Sequence, residues 1–284
     1  MELLVAEPHG MCTGVARALK IVEQTLAEHP GETLWCFHEI VHNEHVVANL
    51  RNRGVCFVDA LDTIPRGARV LFSAHGVSPA VRAEADERGL EVVDATCPFV
   101  GKVHQEARTF AEQGLPIVLV GHKGHDEVVG IVGEAPEAIT VAETAQDIAD
   151  LRAQRPEAKE VALLSQTTIS REMYEARQAD LEAAGYTLRH PNHRDICYAT
   201  QERQDAVRQL AKQVDAILVL GSRNSSNSKR LAEVAQKTGC PAHLIAKPEE
   251  IADLDLSGIQ RLGITSGAST PEELLTDICN RLKD

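Results

Sequence analysis

Residues 90–112, LEVVDATCPFVGKVHQEARTFAE, decide how the whole chain is read. Glu91–Asp94 reads as a short strand, Cys97 follows it, and Pro98 opens a helix. Proline suits a first helical turn because the N–H it lacks would find no partner there anyway. The same order of strand, cysteine and helix recurs twice. LLVAEPHGMC (3–12) precedes TGVARALKIVEQTL (13–26), and HRDIC (193–197) precedes YATQERQDAVRQLAK (198–212). Cys12, Cys97 and Cys197 are spaced by 85 and 100 residues, one thiol per βα-rich unit. A thiolate at a helix N-terminus has a lowered pKa and is a better metal ligand. A buried apolar cysteine would explain any one of the three; for three placed alike it is the weaker reading.

Working outward, short apolar strands alternate with amphipathic helices along the chain. Strands are expected at Leu3–Ala6, Thr33–Phe37, Val55–Val58, Arg69–Ser73, Glu91–Asp94, Pro116–Gly121, Ala138–Val141, Glu160–Ser165, Ala216–Gly221, His243–Ala246 and Arg261–Thr265. Between them lie helical patterns such as Gln201–Val214, with Ala206, Val207, Leu210, Ala211 and Val214 on one face. Strands separated by helices mean βαβ units and mostly parallel sheets. Eleven strands are many for one sheet, so several small α/β units are expected.

Composition limits what such a chain can do. Of 284 residues, 43% are apolar and 25% charged, as in an ordinary globular protein. The net charge of −13, 42 acids against 29 bases, argues against a general binder of nucleic acid or anionic membranes. No apolar run reaches the ~18 residues of a membrane span. MELLVAEPHG carries no basic segment and no long apolar stretch, so no secretory leader is expected and a cytoplasmic location is. Seven cysteines without any CxxC point away from a disulfide framework, zinc ribbons and clustered ferredoxin ligands. Any metal site must gather cysteines from distant parts of the chain. Cys36, Cys56, Cys240 and Cys279 lack the strand–cysteine–helix order and are expected to be structural.

In open α/β sheets ligands bind at the carboxyl ends of strands. Here those ends carry chemistry. WCFHEIVHN (35–43) brings His38 and His42, VLFSAHGVSP (70–79) His75, and IVLVGHKGHDEV (117–128) His122, His125 and Glu127. VALLSQTTIS (161–170) brings Thr167 and Thr168. ILVLGSRNSSNS (217–228) and LGITSGASTPEELL (262–275) bring runs of hydroxyl and amide residues that open helices. Free N–H groups and the helix dipole make such starts anion sites. Simple N-capping is the plainer reading for Thr270 before Pro271, but one cap needs one residue, not the run Ser225, Ser226, Asn227, Ser228. Glu127, two residues after His125, has the spacing of a proton-transfer partner; its plainer role, like that of Asp126, is charge compensation in a first helical turn.

Taken in order, HGMCTGV, HEIVHN, SAHGV, DATCP, GHKGHDEV, SQTTIS, DICYATQERQ, GSRNSSNS and TSGASTPE resemble the LytB/IspH family of 4-hydroxy-3-methylbut-2-enyl diphosphate reductases, over essentially the whole chain. The resemblance implies three α/β domains in pseudo-threefold arrangement around a central iron–sulfur site. They would span residues 14–96, 97–194 and 195–284, the last joined by the N-terminal strand 1–13. It implies a [4Fe–4S] cluster on Cys12, Cys97 and Cys197, with one iron left open for the substrate's hydroxyl. It assigns His42, His75, Ser225, Ser226, Asn227 and Ser269 to the substrate's diphosphate, and His125 and Thr167 to its hydroxyl and the proton relay. Glu127 is the acid. The implied activity is the reductive dehydroxylation that ends the methylerythritol phosphate pathway of isoprenoid synthesis, served by a ferredoxin- or flavodoxin-type electron donor. Met11, Ala16 and Val129 depart from the commonest pattern beside these matches. Two other readings of the residues stay open here. One is a zinc-dependent hydrolase of a phosphorylated small molecule, colourless and insensitive to oxygen. The other is a non-enzymatic iron–sulfur sensor, which would have no use for the hydroxyl-rich loops.

Overall fold

The computed structural model describes residues 1–192 and 195–283. His193 and Arg194 of the HRDIC stretch, and Asp284, lie outside the described residues. Among the described residues twelve strands run in chain order as β1 (Glu2–Val5), β2 (Leu34–Phe37), β3 (Val55–Val58), β4 (Arg69–Phe72), β5 (Glu91–Asp94), β6 (Ile117–Val120), β7 (Ile139–Ala142), β8 (Glu160–Ser165), β9 (Thr187–Arg189), β10 (Ala216–Leu220), β11 (Ala242–Ile245) and β12 (Arg261–Ser266). The helices are α1 (Thr13–Glu28), α2 (Glu44–Asn52), α3 (Pro79–Glu87), α4 (Pro98–Glu112), α5 (Asp126–Val132), α6 (Ala145–Gln154), α7 (Arg171–Ala183), α8 (Tyr198–Leu210), α9 (Ser226–Lys237) and α10 (Glu272–Arg281). All eleven expected strands are present within a residue or two. The unexpected one, β9, is a three-residue edge strand, Thr-Leu-Arg, too short and too polar to show in an apolar pattern.

The strands form three four-stranded sheets, ordered β3-β2-β4-β5, β7-β6-β8-β9 and β11-β10-β12-β1, and every pairing is parallel. Each has the same order: second, first, third, fourth. In the last sheet the N-terminal strand β1 takes the fourth place beside β12, with Leu4 opposite Gly263. The chain folds into two compact units. One holds Met1–Ala16, Val41–Arg53 and the chain from Tyr198 onward; the other holds Arg17–Ile40 and Gly54–Cys197.

Parallel strands are buried on both faces, so their side chains alternate between two cores. In the β6 sheet, Ile117 and Leu119 pack with Val103, Ala107 and Phe110 of α4 and with Ile131 of α5. Val118 and Val120 face the other way, onto Ile148, Leu151 and Leu181 of α6 and α7. The β10 sheet repeats this: Ile217 and Val219 pack on α8 and α9, Leu218 and Leu220 on α10. In the β2 sheet, Val70 and Phe72 pack with Leu61, Ile64 and Ala85. Cys36 lies wholly buried in β2, where burial pushes its thiol pKa up, and Cys240 is buried too.

Gly263 of β12 marks how tightly one layer is closed. A Cβ there would come 2.9 Å from Leu210 Cδ2 and 3.0 Å from Ile217 Cγ1. Gly263→Ala is therefore expected to destabilise the protein by about 1–3 kcal/mol through overpacking. Leu210→Ala in the same chain should recover part of that loss, so the two costs should not add. Urea unfolding of both single variants and the double variant checks this.

Candidate active site

A shared strand order gives each sheet a shared place for a site. In the β2 and β6 sheets the crossovers leave the first and third strands in opposite directions, and a crevice opens beyond their carboxyl ends; in the β10 sheet the N-terminal β1 takes the fourth place with no crossover from β12. The first and third strands are β2 and β4, β6 and β8, and β10 and β12. The residues picked from the sequence follow these six: His42, His75, His125 with Glu127, Thr167, Ser225–Asn227 and Ser269. The three cysteines instead follow the fourth strands β5, β9 and β1, and each directly precedes a helix.

One backbone hydrogen bond recurs in all three sheets. The Cys97 N–H donates to the Ala74 carbonyl at 3.0 Å, that of Cys197 to Thr167 at 3.1 Å, and that of Cys12 to Ala268 at 3.0 Å. Every acceptor lies two residues beyond the end of a third strand. Each cysteine is thereby tied to a loop that carries a site residue. Cys97 is the N-cap of α4, with Pro98 at its first position, as its sequence requires. Cys12 starts α1, and its Sγ accepts the Val15 N–H at 3.4 Å.

The unit Gly54–Cys197 with Arg17–Ile40 contains Glu127, Thr167, His75, His125, Cys97 and Cys197. Glu127 sits in the first turn of α5 and is 1% exposed. Its Oε1 accepts the Thr167 N–H at 2.6 Å and its Oε2 the Thr167 hydroxyl at 3.0 Å. A buried carboxyl is tolerated because donors replace the water it loses. His125 caps α5: its Nδ1 accepts the Glu127 N–H at 3.2 Å. An Nδ1 that accepts this bond leaves Nε2 as the nitrogen able to donate. The His75 ring meets the His125 ring edge-on at 5.7 Å.

The other unit contains Cys12, His42, Ser225, Ser226, Asn227 and Ser269. Ser225 caps α9 by accepting the Ser228 N–H. Ser226 Oγ and both side-chain polar atoms of Asn227 are buried and make no hydrogen bond within the protein. Buried polar groups are nearly always paired, so the unpaired Ser226 hydroxyl and Asn227 amide N–H at a helix start suit an anion. Ser269 Oγ donates to the His42 carbonyl at 3.0 Å, linking the two loops. Thr270 does not cap α10: its hydroxyl donates to Leu220 O, and Pro271 takes the cap position.

Some positioning residues were not visible in the sequence. Arg203 of α8 is buried and donates to the carbonyls of His9 and Gly10, at 3.2 and 2.7 Å, holding the loop before Cys12. The available signal was its phase: Arg203 lies four residues before core Val207, where a charge is out of place. Asp195, two residues before Cys197, accepts the Ser165 N–H at 2.9 Å and faces Lys102 at 3.1 Å. Val129, one of the departures from the family pattern, is 54% exposed.

These crevices make the molecule an α/β enzyme of the kind that grips small anionic ligands at strand ends. The chain belongs to the LytB protein family, whose model matches residues 3–283. It is 47% identical to the 4-hydroxy-3-methylbut-2-enyl diphosphate reductase of Ralstonia nicotianae, over 99% of this chain and 86% of that protein. It is 48% identical to the reductase of the same name from Aromatoleum aromaticum, over 100% of this chain and 90% of that one. Among solved structures it resembles the E-1-hydroxy-2-methyl-but-2-enyl-4-diphosphate reductase from Plasmodium falciparum, with a TM-score of 0.94, 34% identity, and coverage of 100% of this chain and 88% of that one. A second solved structure, an (E)-4-hydroxy-3-methyl-but-2-enyl diphosphate reductase described as the terminal enzyme of the non-mevalonate pathway, gives a TM-score of 0.69 at 32% identity, covering 100% of this chain and 99% of that one.

Burial, and next the neighbouring Glu106, push the Asp195 carboxyl up to about 7. An unfolded Asp ionises near ~3.9, so the folded chain holds a proton here that the unfolded chain has released. The stability this proton contributes is complete below about pH 4 and is lost as pH rises toward 7. Asp195→Asn should flatten the fall in stability across that window, as measured by urea unfolding at several pH values.

Proposed function

We propose that this chain reduces (E)-4-hydroxy-3-methylbut-2-enyl diphosphate to isopentenyl and dimethylallyl diphosphate, the last step of the methylerythritol phosphate pathway. The C–O bond breaks, two electrons and two protons are consumed, and water leaves. The observation that carries this reading is the buried Glu127–Thr167 pair, whose threonine carbonyl also holds the Cys197 N–H.

The iron–sulfur centre that the family implies fits the donors present. Cys12, Cys97 and Cys197 are partly exposed and free of disulfides, and each stands at a helix start, where a thiolate is favoured. We assign them as ligands of a [4Fe–4S] cluster, whose fourth iron then has no protein ligand. When bound, such a cluster supplies electrons and a Lewis acid. The chain's own residues do the rest. Ser225, Ser226, Asn227, Ser269, His42 and His75 bind the diphosphate and orient the substrate, turning remote binding energy into alignment. His125 offers its Nε2–H. Glu127 holds the proton that the departing hydroxyl needs, and the Thr167 hydroxyl, donor and acceptor at once, passes it on. We further propose a ferredoxin- or flavodoxin-type donor, a cytoplasmic location, and three domains divided at residues 97 and 195, one per sheet.

Three sets of variants test this, assayed without oxygen. Glu127→Gln should bind substrate normally and lose about 10²–10⁴-fold in turnover, the usual worth of general-acid help; residual activity above about a tenth of the unmodified enzyme would exclude the role. Ser225→Ala with Asn227→Ala should weaken diphosphate binding by roughly 1–3 kcal/mol per hydrogen bond lost while leaving the visible spectrum unchanged. Cys12→Ser, Cys97→Ser and Cys197→Ser should lose iron, counted per chain, whereas Cys56→Ala and Cys240→Ala should keep it.

A further inference from the structure

His38 and Asp126 play no part in the assignment above, yet their geometry is unusual. His38 directly follows β2 with φ at 59°, and among the described residues no other non-glycine residue has a positive φ. L side chains rarely adopt that conformation, and it is kept where surrounding structure or function demands it. Here it lays the imidazole on the Phe37 ring, centroids 4.1 Å apart, and brings Nδ1 to 2.9 Å from Asp126 Oδ1. The other oxygen of Asp126 stands 3.9 Å from His75 Nδ1. One carboxylate thus lies between two histidines, of which only His75 is assigned to substrate.

We propose that Asp126, anchored by His38, is a positioning residue: it aims the His75 imidazole and keeps it charged for the substrate's anionic end. This rests on the function proposed above. A protein of net charge −13 that offers few Lys or Arg at these loops needs another source of positive charge for a diphosphate. A histidine supplies it only when protonated, and a carboxylate about 4 Å away favours the protonated form. Besides Asp126, His75 faces Ser73 Oγ at 3.3 Å and the edge of His125. Asp126 faces His38 and His75, and the charge of Asp59 also acts on His38. The bond to Asp126 holds the His38 pKa above its ordinary value, which strengthens the anchor. A carboxylate that served only the N-terminus of α5 would require neither the left-handed His38 nor a second oxygen turned toward His75.

The test follows the KM for the allylic diphosphate from pH 6 to pH 9 in the iron-loaded enzyme, for the unmodified chain, Asp126→Asn and His38→Asn. Loss of the carboxylate should lower the pH at which His75 loses its proton. Asp126→Asn should then raise KM about tenfold at pH 8 but less than about threefold at pH 6, a one-unit displacement of the profile. His38→Asn should move KM in the same direction by less, Asp126→Glu should restore part of it, and kcat should fall far less than KM rises. Urea midpoints identify any variant that loses its fold, and Asp126→Glu then carries the comparison. A profile for Asp126→Asn that runs parallel to the unmodified one overturns this inference alone. An unmodified enzyme with no affinity for the diphosphate overturns the functional reading and this inference with it.

Discussion

Three hydrogen bonds of one kind organise this molecule: a cysteine N–H to a carbonyl two residues past the third strand of its sheet. Each joins the loop after an edge strand to the loop after a central strand. A parallel strand cannot turn straight back into its neighbour; it must cross over through a helix, so every strand end that can carry a functional loop lies on one edge. The bond can form only if the third and fourth strands are neighbours. That holds in all three sheets, including the one whose fourth strand is the chain's own N-terminus. A cysteine and a polar loop are coupled in this way three times over, by backbone rather than by side chains.

Glu127 shows how much packing such a site demands. Glu127 loses its water, and the N–H and hydroxyl of Thr167 take its place. Both donors come from the end of β8, so α5 must start close to that loop. Gly121 at the end of β6 permits this, because a Cβ there would stand 2.8 Å from Val128 Cγ2 and 3.1 Å from Gln166 Cβ. Farther along the same elements, His104 of α4 lies against Gly130 of α5 and Gly76 beside His75. Its Nδ1 meets Glu134 at 2.6 Å, while burial holds its pKa below the ordinary histidine value. Loops that carry His75, His125 and Glu127 are therefore braced by one buried ring.

The two halves of the proposed chemistry rest on different physics. The proposed anion site would use neutral donors at a helix start, which bind charge without adding any; Ser226 and Asn227 are unpaired inside the chain. The proton-transfer site leaves less to a ligand: both Glu127 oxygens and the His125 Nδ1 are already engaged. Under that proposal the first would gain its partners from substrate while the second is set in advance, and preorganisation is what a proton donor needs.

By itself the sequence determined the local grammar. Apolar runs set eleven of twelve strands, Pro98 and the hydroxyl runs marked helix starts, and spacing singled out three of seven cysteines. These are short-range signals, set by burial periodicity and backbone chemistry. Tertiary structure alone decided strand order, and hence that the polar loops follow the first and third strands while the cysteines follow the fourth. It also decided that Thr270 bonds Leu220 rather than capping a helix, that Arg203 holds the loop before Cys12, and that Asp126 lies between His38 and His75. Those partners lie 50 to 193 residues apart in two of these cases, and 88 residues apart between His38 and Asp126. Pairing over such distances depends on which crossovers bring which strand ends together, and no local pattern encodes it.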